Sequence, residues 1–471
     1  MNICLLNDSF PPVIDGVANV VKNYADLLHE RPGTAAAVGT TFYPQADYGS
    51  FPYPVYAWPG LQTEDLTGGY RTGYPFAVKQ IGSLLQFSPD IIHTHCPFVS
   101  CLIARSLRDA SGAPIVFTYH TKYDIDIRRS VSLKILQEES IKAVVHNISA
   151  CDEVWVVSRG AGENLNSLGY EGEWKVVRNG VDFPKGQADE ADVIEAVKDY
   201  DLPADIPVFL FVGRLMNYKG LPMIAEALRI LGEENDFRMV FIGSGPDEAS
   251  LKEAILQSGL SLDERQDDGS ITSHNGASKN GRVIFTGPIR DRNVLRAWNT
   301  RADLFVFPST FDTNGLVVRE AAACGLGAVM IRNSCAAEDI TDGRNGFLCD
   351  ENGESLAAFL KFACSHREEI KEAGRNAMNE IYLSWDDAVG YAEQQYRELL
   401  IRKKNGLLPQ RPVLADDPLY KYAADAAVRY AKTADRSQAF DESMMDNFPL
   451  LQLGKEIREN IESQVRKALR L

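Results

Sequence analysis

From the N-terminus to about residue 400, short runs of consecutive apolar residues alternate with longer runs whose apolar side chains recur every third or fourth position. The short runs begin at Asn2, Pro89, Pro114, Glu153, Ile206, Arg238, Val283 and Leu304, and each predicts a buried strand. Between them, Val17, Val20, Val21, Tyr24, Leu27 and Leu28 mark a helix after the first strand, and Leu316 to Cys324 marks another after Phe307. A last helical run goes from Ser384 to about Lys403. Strand followed by helix, repeated in this way, predicts parallel β-α-β units and an α/β chain.

The stretch from Ala302 to Met330 shows such a unit most clearly: strand, a loop with Pro308, Ser309, Asn314 and Gly315, helix, and a second strand near Ala328. Asp312 falls in the loop and Glu320 one to two turns into the helix. Open parallel sheets bind ligands along this carboxyl edge, where free helix N–H groups meet anions and polyols. The unit is suited to a sugar or a nucleotide.

Other stretches carry less pattern. Residues 41–75 are rich in Tyr, Pro and Gly and read as loops with short strands, either lining an acceptor side or forming a solvent-facing connection. Residues 261–281 are polar and glycine-bearing and read as an exposed excursion. The run over 127–147 has apolar residues at broadly helical spacing with Arg128, Arg129, Lys134 and Lys142 among them; it reads as a helix packed on a core or touching anionic headgroups.

A chain of 471 residues exceeds one ordinary core, so two domains are expected. The acidic run from Gln187 to Asp201 reads as a surface connector with a small helix, giving a first domain over 1–190 and a second over 205–385, then a helix at 386–404 and an extension over 405–471. The net charge of -16 argues against a nucleic-acid partner. No apolar stretch approaches the roughly 18 residues of a membrane span, and MNICLLNDSF lacks the build of a signal peptide, so a cytoplasmic protein is expected. The eight cysteines form no C-x-x-C pair and read as small buried hydrophobes. His93 and His95 share one face of a strand while Asp90 takes the other, which disfavours a metal site.

On spacing alone, Arg214 and Lys219, between a strand and a helix, read as two solvated cations or as a pair sharing one diphosphate. Gly243-Ser244-Gly245-Pro246 fails as a dinucleotide fingerprint, because a proline follows the second glycine and Glu248 takes the third glycine's place.

Taken together, several separated stretches are more specific. PSTFDTNGLVVREAAACG (308–325), VGRLMNYKG (212–220), GSGP (243–246), NGVD (179–182), EDITDGRNGF (338–347), PDIIHTHCPF (89–98), TYHTKY (118–123) and the loop ending at Gly16 occur in one order. In that order they resemble the motifs of retaining glycosyltransferases of family 4, close in flavour to bacterial glycolipid-forming members. The resemblance implies a GT-B fold: two Rossmann-like domains facing across a cleft, with the last helix crossing back. It implies a hexose transferred from a nucleotide-sugar, a UDP-sugar by expectation, to a lipid or glycan acceptor, with no cofactor and no metal. It further implies that Arg214 and Lys219 hold the donor's pyrophosphate, that Gly16, Gly243, Gly245, Gly315 and Leu316 lie along the donor, and that Glu320 binds the ribose. His120 and Asp312 would meet the transferred sugar, and His95 and Tyr123 would line the acceptor side. The departures are Asp312 where a glutamate is usual, Asn314 for an aromatic residue, Leu326-Gly327, and Ala336-Ala337 for two small glycines. They leave two other readings, a nucleotide-sugar-binding protein without transfer and a UDP-sugar epimerase.

Overall fold

The protein is described from a computed structural model covering residues 1–13, 15–61, 70–131, 133–277, 280–409 and 425–432. It has two largely parallel sheets, each sandwiched by helices. The first is seven-stranded, in the order Val55–Trp58, Ala35–Thr41, Asn2–Leu6, Ile91–Thr94, Ile115–Tyr119, Glu153–Val156, Lys175–Val176. The second is eight-stranded: Ile271–His274, Ser261–Arg265, Arg282–Gly287, Arg238–Ile242, Val208–Val212, Leu304–Phe307, Ala328–Ile331, Phe347–Cys349. Central strands such as Phe209 to Phe211 and Ile115 to Phe117 are apolar on both faces because helices cover both, as parallel sheets require.

In each sheet the order of connection reverses once in the middle. In the first it reverses between Asn2–Leu6 and Ile91–Thr94, and in the second between Val208–Val212 and Leu304–Phe307. Loops leaving the carboxyl ends of such a pair diverge and leave a crevice between them. Those loops hold Asp15, Gly16 and His95 in the first domain and Arg214, Lys219 and Asp312 in the second.

The crossing between domains comes early. Val177 belongs to the first core, whereas Val181 and Phe183 already pack in the second. The small helix expected in the acidic run is Glu190–Val197, and it packs on the second core through Ala196 and Val197. The chain returns at Ser384, where Val181 N–H donates to Leu383 O at 3.0 Å and the Trp385 backbone closes over Gly180, leaving no room for a Cβ. Helix Trp385–Lys404 then completes the first domain: Trp385, Ala388, Val389, Ala392, Tyr396 and Leu399 form one buried stripe. Burying side chains of this size stabilises by about 1.5–3 kcal/mol each, so the second domain's sequel holds the first domain together.

Residues 261–281 differ from the expected excursion. Ser261–Arg265 pairs parallel with Arg282–Gly287 and antiparallel with Ile271–His274, extending the sheet edge. Leu262 is buried, and Asp263, Glu264 and Arg265 pair with Arg282, Lys252 and Asp199 at 2.6, 2.8 and 3.3 Å, so one apolar residue and three ion pairs anchor an otherwise polar strand. In residues 41–75, Val55–Trp58 is an edge strand, and Gly60–Leu61 and Thr72–Gly73 form a small ribbon. Of the extension over 405–471, residues 425–432 are helical and Ala427 is buried in the first core; apart from 405–409, the rest of that expectation lies outside the described residues.

Candidate active site

In the second domain the crevice is built from charge. Lys219 ends a short 3-10 turn, Asn217–Lys219, and its Nζ meets Asp312 Oδ1 at 2.5 Å across the point where the sheet order reverses. The other Asp312 oxygen accepts from Ser309 Oγ at 2.5 Å. Arg214 is exposed and has no ion-pair partner among the described residues. It lies near Asp126, whose pKa burial raises and the Arg129 and Arg214 charges pull back down. Tyr218 packs tilted against Phe311 with ring centroids 4.5 Å apart, and Arg129 of the first domain's helix Tyr123–Ser130 sits 4.5 Å above Tyr218.

Glycines shape this crevice for two reasons. A Cβ on Gly243 would lie 2.0 Å from Gly213 O, and one on Gly245 would lie 2.2 Å from Leu215 O, so both let the 243–246 loop press on the Arg214 loop. Leu215 N–H donates to Ser244 O at 2.9 Å in the same contact. Gly315, at φ 55°, starts helix Leu316–Ala323 in the left-handed region, with the Ala336 methyl beside it. Glu320, inside that helix, is turned to Arg292, whose guanidinium donates to it at 2.6 Å while lying 4.4 Å over the Phe183 ring. Burial raises the Glu320 pKa, and Arg292 opposes the rise.

The first domain's crevice is built from neutral rings. His120, beyond strand Ile115–Tyr119, meets His95 through Nε2···Nδ1 at 2.9 Å, with the rings stacked. His93 lies beneath His95 at 4.0 Å and bridges Tyr396 OH at 2.6 Å and Thr118 Oγ1 at 2.7 Å. Burial lowers the pKa of all three; that of His120 is pushed down to about 3. Asp15 caps helix Gly16–Glu30 by accepting from Val17 N–H and Ala18 N–H, and the space over Gly16 is open.

The two crevices face each other. Thr313 Oγ1 donates to His120 O at 2.5 Å, and Lys122 Nζ donates to Thr310 O at 3.2 Å. Away from these loops, Arg178 of the first domain holds Asp339 at 2.7 Å, Arg319 holds the same carboxylate, and Glu338 accepts from Arg159 N–H and Gly160 N–H at the start of helix Arg159–Ser167. Burial raises the Asp339 pKa, but the Arg319 and Arg178 charges outweigh it and leave the net shift downward.

Comparison with known proteins shows what this arrangement belongs to. The model for glycosyltransferase family 4 matches residues 14–184, and that for glycosyl transferases group 1 matches residues 206–365. The chain belongs to glycosyltransferase family 4. This glycosyltransferase is similar to the sulfoquinovosyl transferase of Arabidopsis thaliana, 26% identical over 387 residues, covering 78% of this chain and 67% of that one. It is also similar to the alpha-monoglucosyldiacylglycerol synthase of Streptococcus pneumoniae, 25% identical over 370 residues, 77% of this chain and 78% of the other. Among solved structures, Anabaena HepE in complex with UDP shares the fold, with a TM-score of 0.63 at 18% identity over 85% of this chain and all of HepE. The fold is GT-B, as the motifs imply.

Within the glycosyltransferase, Lys219, Asp312, Ser309 and, through Thr313, His120 are brought together by direct contacts. Arg214 joins them beside Tyr218, whose burial-raised pKa also feels the Arg214 and Asp312 charges. Glu320 follows on the same loop and helix but pairs with Arg292. Two expectations change. His95 is wholly buried behind His120 and does not line a cleft. Tyr123 is 8% exposed, packed between Phe98 and Tyr119, with its hydroxyl donating to His95 O at 3.4 Å. The sequence reading placed Arg129 among the basic residues of a helix and not at the cleft, and it missed Tyr218 and Arg292. Arg292 is 28 residues before its partner on another helix, so no local spacing announces the pair.

Proposed function

We propose that the protein is a retaining hexosyltransferase that moves a hexose from a UDP-sugar to a lipid or glycan acceptor, keeping the anomeric configuration and using no metal. The observation that carries this reading is the meeting of Lys219 with Asp312 at 2.5 Å, on a loop hydrogen-bonded to His120 of the opposite domain. Departure of the sugar puts charge on the diphosphate, and fixed cations in a partly dry site stabilise it strongly. Arg214 grips it as a fork and Lys219 as a compact charge. When phosphate takes over Lys219, Asp312 is released toward the sugar hydroxyls. Neutral His120 contributes a hydrogen bond rather than a charge, and Glu320 takes the ribose hydroxyls with Arg292 balancing it.

The glycolipid in the name of the monoglucosyldiacylglycerol synthase and the UDP in the HepE complex support the acceptor and donor classes. Around the start of helix Lys134–Ser149, Leu133, Ile135 and Leu136 are 63%, 77% and 51% exposed beside Arg128 and Lys134, which supports a lipid acceptor reached from the cytoplasmic face of a membrane. Among the described residues no helix is long and apolar enough to cross one.

The test is a panel of nucleotide-sugars and acceptors with purified protein, following nucleotide release and product configuration by NMR, with and without chelator. Retained configuration and chelator-insensitive transfer from a UDP-sugar are expected. UDP binding with neither transfer nor donor hydrolysis would identify a nucleotide-sugar-binding protein instead. Conversion between UDP-sugars without acceptor would identify an epimerase. Flotation with anionic liposomes tests the membrane contact, and absence from the floated fraction contradicts it.

A further inference from the structure

His95 is a buried titratable group that the mechanism above leaves without a task. Its ring is fully enclosed, its Nδ1 touches His120 Nε2 at 2.9 Å, and its Nε2 is buried with no polar partner. His120 itself is 7% exposed. Its other nitrogen, Nδ1, has no partner among the described residues and is not among the sealed, unpartnered atoms, so it is the nitrogen open to the cleft.

Two neutral imidazoles joined by one hydrogen bond share one proton between them, and the donor at that bond decides the tautomer of both. If His120 Nε2–H donated to His95, then His95 would carry its own proton on Nε2, an N–H sealed in the core with no acceptor. If His95 Nδ1–H donates, only a lone pair is left unused. Buried N–H groups without an acceptor are the rarer vacancy in protein interiors.

We propose, resting on the transferase reading above, that His95 is a positioning residue that fixes the tautomer of His120: His95 Nδ1–H donates to His120 Nε2, so His120 presents Nδ1–H to the cleft. The group offered to the transferred sugar is then a hydrogen-bond donor, selecting a hydroxyl or ring oxygen that accepts. Burial supports this by holding both rings neutral, so the arrangement persists through neutral pH. The close tilted contact of His95 with His93, itself tied to Tyr396 and Thr118, keeps the His95 ring from turning.

The experiment uses the full chain labelled with 15N-histidine, reading the protonated ring nitrogen of His120 by long-range 1H–15N correlation, with its signal identified by loss in His120→Asn. The proton is expected on Nδ1 in the wild type. It is also expected there in His95→Asn, whose amide carries an N–H at nearly the same place. In His95→Asp the carboxylate only accepts, so the proton moves to Nε2. A wild-type proton on Nε2, or an unmoved proton in His95→Asp, would overturn the proposal. UDP titration should be unchanged in both variants, because Arg214 and Lys219 belong to the other domain. Donor turnover should fall roughly 10- to 100-fold in His95→Asp and largely survive in His95→Asn, the scale found for outer partners of working histidines. Equal loss in both variants would count against positioning. Absence of any turnover in the wild type would sink the transferase reading while the tautomer result stood on its own.

Discussion

The two crevices lie at the same topological place in two similar sheets and are furnished in opposite ways. In the first domain, His93 and His95 are enclosed and His120 nearly so, with one nitrogen open to the cleft; all three are held neutral and are bound to Tyr396, Thr118 and each other. In the second, Lys219, Asp312, Glu320 and Arg292 are charged and neutralise one another in pairs. The reversal of strand order supplies a location in both cases, but the side chains decide whether that location is a wall or a set of exchangeable charges. Hydrogen bonds sealed in a core are costly to break and resist a ligand. Ion pairs that are one-eighth to one-fifth exposed, as Lys219 and Asp312 are, can trade a carboxylate for a phosphate.

The largest effect should come from damaging the wall. His93→Ala leaves the Tyr396 and Thr118 hydroxyls unpaired and a cavity beside Trp155, and should lower stability by about 3 kcal/mol in urea unfolding. UDP affinity of the folded fraction should hardly move; a large drop in affinity with intact stability would reverse the contrast. Next, Asp312→Asn removes the sugar contact and frees Lys219, so turnover should fall about 100-fold while UDP binds as well as before or better. Weaker UDP binding in this variant would mean that Asp312 does not compete with phosphate.

Acid gives a smaller and broader effect. Burial pushes the His120 pKa from its usual 6.5 to about 3, and those of His93 and His95 also fall. Below pH 6.5 the unfolded chain therefore takes up protons that the folded chain refuses, and the stability that these histidines leave intact above pH 6.5 is lost progressively toward pH 3. Urea midpoints at a series of pH values should show this decline, shallower in His120→Asn. A decline of equal slope in the variant would place the acid sensitivity elsewhere.

Much of the second crevice was legible in the sequence because its parts are local. Arg214 and Lys219 flank one loop, Asp312 and Glu320 another, and an apolar strand before each loop gives it away. The first crevice was half legible. Strand parity puts His93 and His95 on one face, but that face is covered by Tyr396, 303 residues away in sequence, and by Tyr24. Nothing near His95 in the chain says that a helix from beyond the second domain closes over it. Arg292 was hidden for the same reason. The polar edge strands at 261–274 were misread because hydrogen bonding to Arg282–Gly287, with Leu262 and the ion-paired Asp263 buried, does the work that apolar alternation does in central strands.

The account rests on a diphosphate held by two cations of the second domain, and calorimetric titration of UDP into the wild type, Arg214→Ala and Lys219→Ala proteins tests that most directly. Each variant should bind about 10- to 100-fold more weakly, the range for a lost charge-assisted contact, with unfolding midpoints close to that of the wild type. Wild-type affinity in both variants would contradict it.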